Sequence, residues 1–138
     1  WNTGCRNTGD WNTGNWNTGD WNTGNYSTGI FCTNINPKIM LFDEPSSWTM
    51  DDWNNSSARF IMNTCPTTKS YWRCSNEMTE EETTEHPEYE TTAGYLKTVT
   101  ATKKDKQEWW NYLSEEDKQC IYNLPNFDMD IFKMCVGM

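Results

Sequence analysis

The chain opens on WNTGCRNTGDWNTGNWNTGDWNTGNYSTGI (residues 1–30), six five-residue units in one unbroken register, and a decayed seventh unit follows at residues 31–35. A period of five residues matches neither the period of a helix, about 3.6 residues, nor the two-residue period of a strand. Each unit is therefore expected to be one short segment that stacks on its neighbours, as in solenoid proteins. We predict that residues 1–35 form stacked short β-segments at the sheet spacing of about 4.8 Å. Because none of the recurring side chains is reactive, the repeat indicates a scaffold or a binding surface rather than a catalyst.

The recurring Asn-Thr-Gly has a local structural role at each position. Asn bonds to nearby backbone or tolerates positive φ, Thr suits an extended segment, and Gly turns a corner without a Cβ clash. Read from its glycine, the unit Gly9-Asp10-Trp11-Asn12-Thr13 runs small, Asp or Asn, large apolar, polar, polar, and the following units repeat this order. The pattern resembles the pentapeptide-repeat protein family. The resemblance implies a right-handed quadrilateral β-helix, with one unit on each face and four units in each coil, of which residues 1–35 would form a part.

The resemblance also implies which side chains point into the coil. The large inward position would hold Trp11, Trp16, Trp21, Tyr26 and Phe31, and the small one Gly9, Gly14, Gly19, Gly24 and Gly29. Arg6 occupies the same position as the aromatic residues, and its burial without a partner would cost several kcal/mol. The competing register turns the aromatic rings outward and stacks the Asn side chains inside as a hydrogen-bonded ladder. We favour the inward register and keep the outward one as the alternative.

Composition changes sharply after Asn36-Pro37, where the period ends and charged residues appear. We therefore predict two domains, a repeat segment at residues 1–35 and an acidic, α-rich domain at residues 36–138. The whole chain has a formal net charge of −9, of which the repeat contributes −1, so the second domain carries −8. Its simplest role is to cap the last coil of the repeat, where it would cover the exposed edge of the β-helix and prevent end-to-end strand pairing. Since the visible units make fewer than two four-unit coils, further units upstream are expected.

The second domain is predicted to be a small α-rich α+β fold. Strands are expected at residues 38–42 and 95–99, and the two could pair with each other. Capping patterns predict five helices: Thr49 with Asp52 opens one that runs to about residue 63, Thr79 with Glu82 opens a short acidic one, Asp105 opens a third, Ser114 a fourth, and Asn126 or Asp128 a last one that stops at Gly137.

Segments of this second domain also resemble uncharacterised pentapeptide-repeat proteins of bacteriophages and gut bacteria. The resemblance rests on Glu85-His-Pro-Glu-Tyr89, Gly94-Tyr-Leu-Lys97 and Leu124-Pro-Asn-Phe-Asp128. It implies a phage-related source and no particular chemistry.

The residues that most often carry catalysis or metal binding have plainer interpretations here. His86 is the only histidine, and we interpret it as a surface residue at a helix end rather than a general base. The six cysteines lack CxxC spacing and are interpreted as buried reduced thiols. Asp51-Asp52 and Asp128-x-Asp130 fall at helix starts, where carboxylates cap the helix rather than bind a cation. We predict no catalytic centre, no metal site and no cofactor.

The strongest local charge lies between Glu77 and Glu90, where seven acidic residues occur with no basic one. Such a stretch is typical of a solvated face, and it could also imitate nucleic-acid phosphates. The candidate partner-binding residues are Glu80, Glu81, Glu82 and Glu85 in this stretch and Trp11, Trp16 and Trp21 in the repeat.

These observations favour a non-catalytic structural or protein-interaction module in which a rigid coil is capped by an acidic domain, and the resemblance implies a phage-related origin. A protein partner or self-association is expected. One alternative is a DNA-mimicking inhibitor of a nucleic-acid enzyme, which itself binds no nucleic acid. The other is a glycan-binding module on outward Trp platforms. No signal peptide or membrane span is visible, and a cytoplasmic or virion-associated location is favoured.

Overall fold

A computed structural model describes all residues from 1 to 138, and they form two compact units. The first contains residues 1–63 and 114–135, and the second contains residues 64–113 and 136–138. The boundary predicted after residue 35 therefore lies inside the first unit. The strands are β1 (Thr18–Asp20), β2 (Thr28–Ile30), β3 (Lys38–Leu41), β4 (Glu44–Thr49), β5 (Thr68–Cys74) and β6 (Gly94–Thr100). The helices are α1 (Met50–Asn54), α2 (Ser57–Met62), α3 (Glu80–Glu85), α4 (Tyr89–Thr92), α5 (Lys103–Tyr112), α6 (Glu115–Tyr122) and α7 (Met129–Val136), and a 3-10 turn spans Ser75–Glu77.

The repeat pairs with itself in parallel at a spacing of ten residues. β1 pairs with β2, and single bridges join Thr3 to Thr13, Thr8 to Thr18, and Thr13 to Thr23. The prediction of short β-segments therefore holds, in a β-helix-like arrangement. The prediction of four units in a coil is wrong, because each unit lies beside the second unit after it, not the fourth. A quadrilateral coil would place residues twenty positions apart side by side.

The interior of the repeat is filled by asparagine rather than by aromatic rings. Asn12, Asn17 and Asn22 are at most 1% exposed, and Ser27 is 2% exposed at the equivalent position. Each Asn donates from Nδ2 to a glycine carbonyl seven residues ahead and accepts at Oδ1 from the backbone N–H ten residues ahead, as Asn17 does with Gly24 (3.0 Å) and Ser27 (3.0 Å). The favoured inward register of the aromatic residues is thus wrong, and the outward alternative is correct.

Backbone geometry explains the ten-residue spacing of the paired units and the outward rings. The first residue of each complete unit from Arg6 onward has φ between 55° and 61°, the left-handed region, so the chain bends there. Gly14 has a φ of +106°, and a Cβ at this position would overlap the carbonyl group of Gly24. Glycine is therefore required by the close approach of successive coils and does not make room for buried rings. A short asparagine that bonds to backbone on both sides suits this interior, whereas an indole would leave those backbone groups unpaired.

The rest of the first unit is a small hairpin with packed helices. β3 and β4 pair antiparallel, and the two residues between β3 and β4, Phe42 and Asp43, both have positive φ, as a tight two-residue hairpin turn requires. α2 packs against α6, and Asn126 donates to the carbonyl of Pro45 (3.0 Å). The buried apolar side chains are Ala58, Ile61, Ile121, Leu124 and Phe132.

The second unit is built on the antiparallel pair of β5 and β6, which runs in continuous register from Thr68–Thr100 to Cys74–Gly94. Its buried apolar residues are Tyr95, Ala101 and Trp110. Lys69 of β5 bonds to Asp105 near the start of α5 at 2.9 Å. This hairpin positions the acidic residues considered below.

Most of the helix starts predicted from capping patterns are present, whereas the predicted pairing of the strands at residues 38–42 and 95–99 is absent. Thr49 and Asp52 form the expected capping box, yet the helix predicted to residue 63 is divided into α1 and α2, because Ser56 caps a second start. The expected pairing of the strands at residues 38–42 and 95–99 is wrong. Each has a partner close in sequence, β4 and β5 respectively, that the sequence did not reveal.

Candidate functional site

The outward aromatic residues of the repeat form two columns, one from each set of alternate units. In the first, Trp11 lies parallel to Trp21 with ring centroids 5.1 Å apart, and Trp21 stacks on Phe31 at 6.3 Å. In the second, Trp16 stacks on Tyr26 at 6.4 Å, and the guanidinium of Arg6 lies 4.4 Å from the Trp16 ring centre. The outward register therefore gives Arg6 a cation–π partner in place of a costly burial.

Stacking determines which parts of these rings a ligand can reach. Trp11, Trp16 and Trp21 are 47–52% exposed. Both faces of Trp16 are covered, by Arg6 and by Tyr26, and Trp21 lies between Trp11 and Phe31. Ring edges, rather than ring faces, are what these inner positions present to solvent.

The local fold of the acidic stretch leaves some of its carboxylates exposed and one of them largely buried. Thr79 caps α3 by accepting from the backbone N–H of Glu82, which places Glu80, Glu81 and Glu82 in the first turn. Glu80, Glu81 and Glu85 are exposed, whereas the side chain of Glu82 is only 13% exposed.

Glu82 is held by two cations of the β5–β6 hairpin. Its carboxylate lies 2.9 Å from Lys97 Nζ and 3.2 Å from Arg73 Nε. The bonds from Lys97 and then Arg73 hold the pKa of Glu82 below its usual range, and the bond to Glu82 raises the pKa of Lys97. Of the four acidic residues predicted for partner binding, Glu82 thus already has partners within the unit, and the other three have none.

A groove of about 620 Å³ lies between α3 and β6. Its walls come from Glu81, Glu82, Glu85 and His86 on one side and from residues 95–98 on the other. Sequence reasoning missed this groove. The spacing of four residues between Glu82 and His86 was the available signal, because it places both side chains on one side of a helix.

His86 lies at the end of α3, as predicted, and its ring has a defined setting. It stacks on Tyr95 with centroids 3.9 Å apart, and its Nδ1 is 3.0 Å from Glu88 Oε1. Burial, followed by the charge of Glu82, raises the pKa of Tyr95. His86 is thereby fixed against the hairpin rather than projecting into solvent.

The remaining predicted sites have structural partners of their own. The Asp52 carboxylate accepts from the Thr49 backbone N–H at 2.8 Å, and Asp128 accepts from the N–H groups of Asp130 and Ile131, so both cap helices as predicted.

All six cysteines are free. Three are exposed and three are partly buried, so the prediction that they are buried is wrong. No three His, Cys, Asp or Glu side chains lie together in a group that could hold a metal ion.

Comparison with known proteins supports the interpretation of the repeat. Residues 1–34 match the family model described as pentapeptide repeats (8 copies). Residues 1–34 are therefore pentapeptide repeats. No curated protein and no solved structure gives a significant match to the chain. The chain has no helix with the length and apolar character needed to cross a membrane.

Proposed function

We propose that this protein is a non-catalytic protein-interaction module whose acidic surface in the second unit binds a basic partner. The observation that carries the proposal is the exposure of Glu80, Glu81 and Glu85 beside the groove, with no cation of this chain bound to them. Glu77, Glu88 and Glu90 are exposed as well, so the surrounding surface has the same sign. Such a field attracts a basic partner and speeds its association.

The ion pairs of Glu82 define the substitutions that test this surface. Replacing Glu82 would leave Lys97 and Arg73 without their shared carboxylate and would disturb the hairpin. The test variant is therefore Glu80→Gln, Glu81→Gln and Glu85→Gln together. A matched control removes three exposed carboxylates elsewhere, through Glu44→Gln, Glu108→Gln and Glu116→Gln.

A lysine-rich peptide of about ten residues serves as the probe, and calorimetry at several salt concentrations gives its dissociation constant. We expect binding by the native protein to weaken as salt rises past about 0.1 M, where the screening length is about 10 Å. The test variant should bind at least about tenfold more weakly than the control variant. Equal binding by the two variants, or binding that ignores salt, would refute the proposal.

Glycan binding on the aromatic columns is the second candidate function. The outward exposure of Trp11, Trp16 and Trp21 is the observation that favours it. The stacking works against it, since a sugar packs on the face of a ring and the inner faces are already covered. Titration of Trp fluorescence with cello- and chito-oligosaccharides decides the matter. A saturable change that is lost in Trp11→Ala with Trp21→Ala would support this candidate over the first.

DNA mimicry and a phage-related origin stay predictions. Mimicry requires carboxylates spread along an extended surface, and the repeat offers only Asp10 and Asp20. Asp20 accepts from the Asp10 backbone N–H at 2.8 Å. The interaction role through the second unit therefore has the better support.

A further inference from the structure

β6 has a free edge whose hydrogen-bonding groups are defined by its pairing with β5. Ser75 N–H donates to Ala93 C=O and Ala101 N–H donates to Thr67 C=O, both at 2.9 Å. These two bonds determine which backbone groups of β6 point toward β5. Backbone groups alternate direction along an antiparallel strand. Those of Tyr95, Lys97 and Val99 therefore point to β5, and those of Leu96 and Thr98 point away from it.

Leu96 and Thr98 are also among the residues that line the groove beside α3. β5 and β6 form a two-stranded sheet, so no third strand covers this edge. The pairing has no bulge or register shift over the seven residues of β6, and the strand contains no proline. Bulges and prolines are two of the devices that protect edge strands of native proteins from strand addition, and this edge has neither of them.

A strand added to this edge would place its side chains on two different surfaces in alternation. On one face of the sheet, Lys97 is bonded to Glu82 of α3, so side chains on that face lie toward Glu81 and Glu85. On the other face, Trp72 and Leu96 lie opposite each other and are 49% and 62% exposed. The first surface favours cationic side chains, and the second favours apolar ones.

We infer that the free edge of β6 binds an extended segment of a partner protein in which Lys or Arg alternates with apolar residues. The segment adds a third strand through the backbone groups of Leu96 and Thr98. Its cations meet Glu81 and Glu85, and its apolar side chains extend the surface of Trp72 and Leu96. This inference rests on the proposed function and names the partner's chemistry and binding mode, which are those of β-strand addition.

Charge decides between a basic partner and a second copy of this chain. Pairing two copies through β6 would bring Glu81 and Glu85 of both copies toward the same edge, where like charges repel. Lys97 and Arg73 share the single carboxylate of Glu82, so this cluster keeps one positive charge, which offsets only one of the two carboxylates Glu81 and Glu85. A basic segment meets no such repulsion.

The test compares peptides and uses one variant of the full chain. The probe is an acetylated seven-residue peptide in which Lys and Val alternate, and its control contains the same residues in two blocks. Leu96→Pro removes one outward N–H and no bond to β5, because proline is tolerated where the N–H faces away from the neighbouring strand. Leu96→Ala is the matched control, since it keeps that N–H.

Binding of the fluorescent peptides is measured by anisotropy. We expect the alternating peptide to bind about tenfold more tightly than the block peptide, and Leu96→Pro to weaken it about tenfold relative to Leu96→Ala. Should Leu96→Pro fail to fold by circular dichroism, the alternating peptide N-methylated at every second residue replaces it, with a similar loss expected on the native protein. Salt-dependent binding that is equal for both peptides and unaffected by proline or N-methylation overturns strand addition and leaves the proposed function standing. Absence of any salt-dependent binding overturns both.

Discussion

A primary amide can satisfy both a donor and an acceptor in a narrow interior, and the asparagines of the repeat use this property. Asn22 donates to the Gly29 carbonyl at 2.8 Å, and its Oδ1 accepts from the Cys32 backbone N–H at 2.9 Å. No buried side-chain nitrogen or oxygen in the structure lacks a hydrogen-bond partner. A buried polar group without a partner costs about 1–3 kcal/mol. An interior made of asparagine is therefore stable only if every amide donor and acceptor in it is hydrogen-bonded.

Replacing one of these amides should destabilise the repeat. Asn17→Ala removes the partners of the Gly24 carbonyl and the Ser27 N–H, which are then left unpaired inside the coil. We expect the free energy of unfolding to fall by about 2–4 kcal/mol. Denaturant unfolding followed by Trp fluorescence measures the change. Thr18→Ala, at the next and exposed position, should cost less than about 0.5 kcal/mol, and equal costs for the two variants would contradict the ladder.

At the scale of elements, local signals in the sequence were sufficient for helix starts. Thr49, Thr79 and Ser114 each accept from the backbone N–H three residues ahead, as their capping patterns indicated. A cap involves neighbours in sequence, so a pattern of four residues contains the whole interaction. At the start of α5 the cap is Thr102, and Asp105 is its partner rather than the cap itself.

That cap makes the stability of the second unit depend on pH. The Thr102 backbone N–H, then the bonds from Lys69 and the Thr102 hydroxyl, lower the pKa of Asp105 from 3.8 to about 2. A carboxyl with a lowered folded pKa contributes stability that is present above its unfolded value and is lost as pH falls. We expect this contribution to be complete above pH 3.8 and to disappear as pH approaches about 2.

Thermal unfolding by circular dichroism from neutral pH down to about pH 2 measures this dependence. Asp105→Asn should lower Tm at neutral pH, and its Tm should then change less with acid than that of the native protein. Glu108→Gln, on the same helix and exposed, should leave the acid dependence as it is. Parallel Tm curves for the native protein and Asp105→Asn would show that the cap contributes nothing.

Strand pairing and coil size depended on interactions that short patterns do not contain. Both residues of Phe42-Asp43 adopt the positive φ that the hairpin turn needs. Because this dipeptide is not common in hairpin turns, β4 was not predicted from the sequence. In the repeat, the resemblance to the pentapeptide-repeat family implied that the aromatic residues fill the inward position. The alternative interior of asparagine requires each amide to reach the backbone of the next coil, and only the ten-residue spacing seen in the structure makes that possible.

For the whole molecule, the balance between charge and exposed aromatic surface governs how copies of the chain meet. The formal net charge is −9 at pH 7, and the sequence pI is about 4.5. Large apolar side chains are exposed on both units, among them Trp11 and Trp21 on the repeat and Trp72 on β5. Charge repulsion keeps copies apart at neutral pH, and this repulsion vanishes near the pI.

We therefore expect the protein to self-associate near pH 4.5 through the aromatic columns of the repeat while its fold stays intact. The Asp105 cap is kept at this pH, because its contribution is lost only as pH falls below the unfolded pKa of 3.8. Sedimentation velocity should give one small species at neutral pH and larger species at pH 4.5. Trp11→Ser with Trp21→Ser should suppress the larger species, since it removes two of the first column's three rings. Phe60→Ser with Tyr112→Ser, which removes exposed rings outside the repeat, should not. If both pairs of substitutions suppress association equally, the contact is general apolar adhesion and the columns have no special part in it.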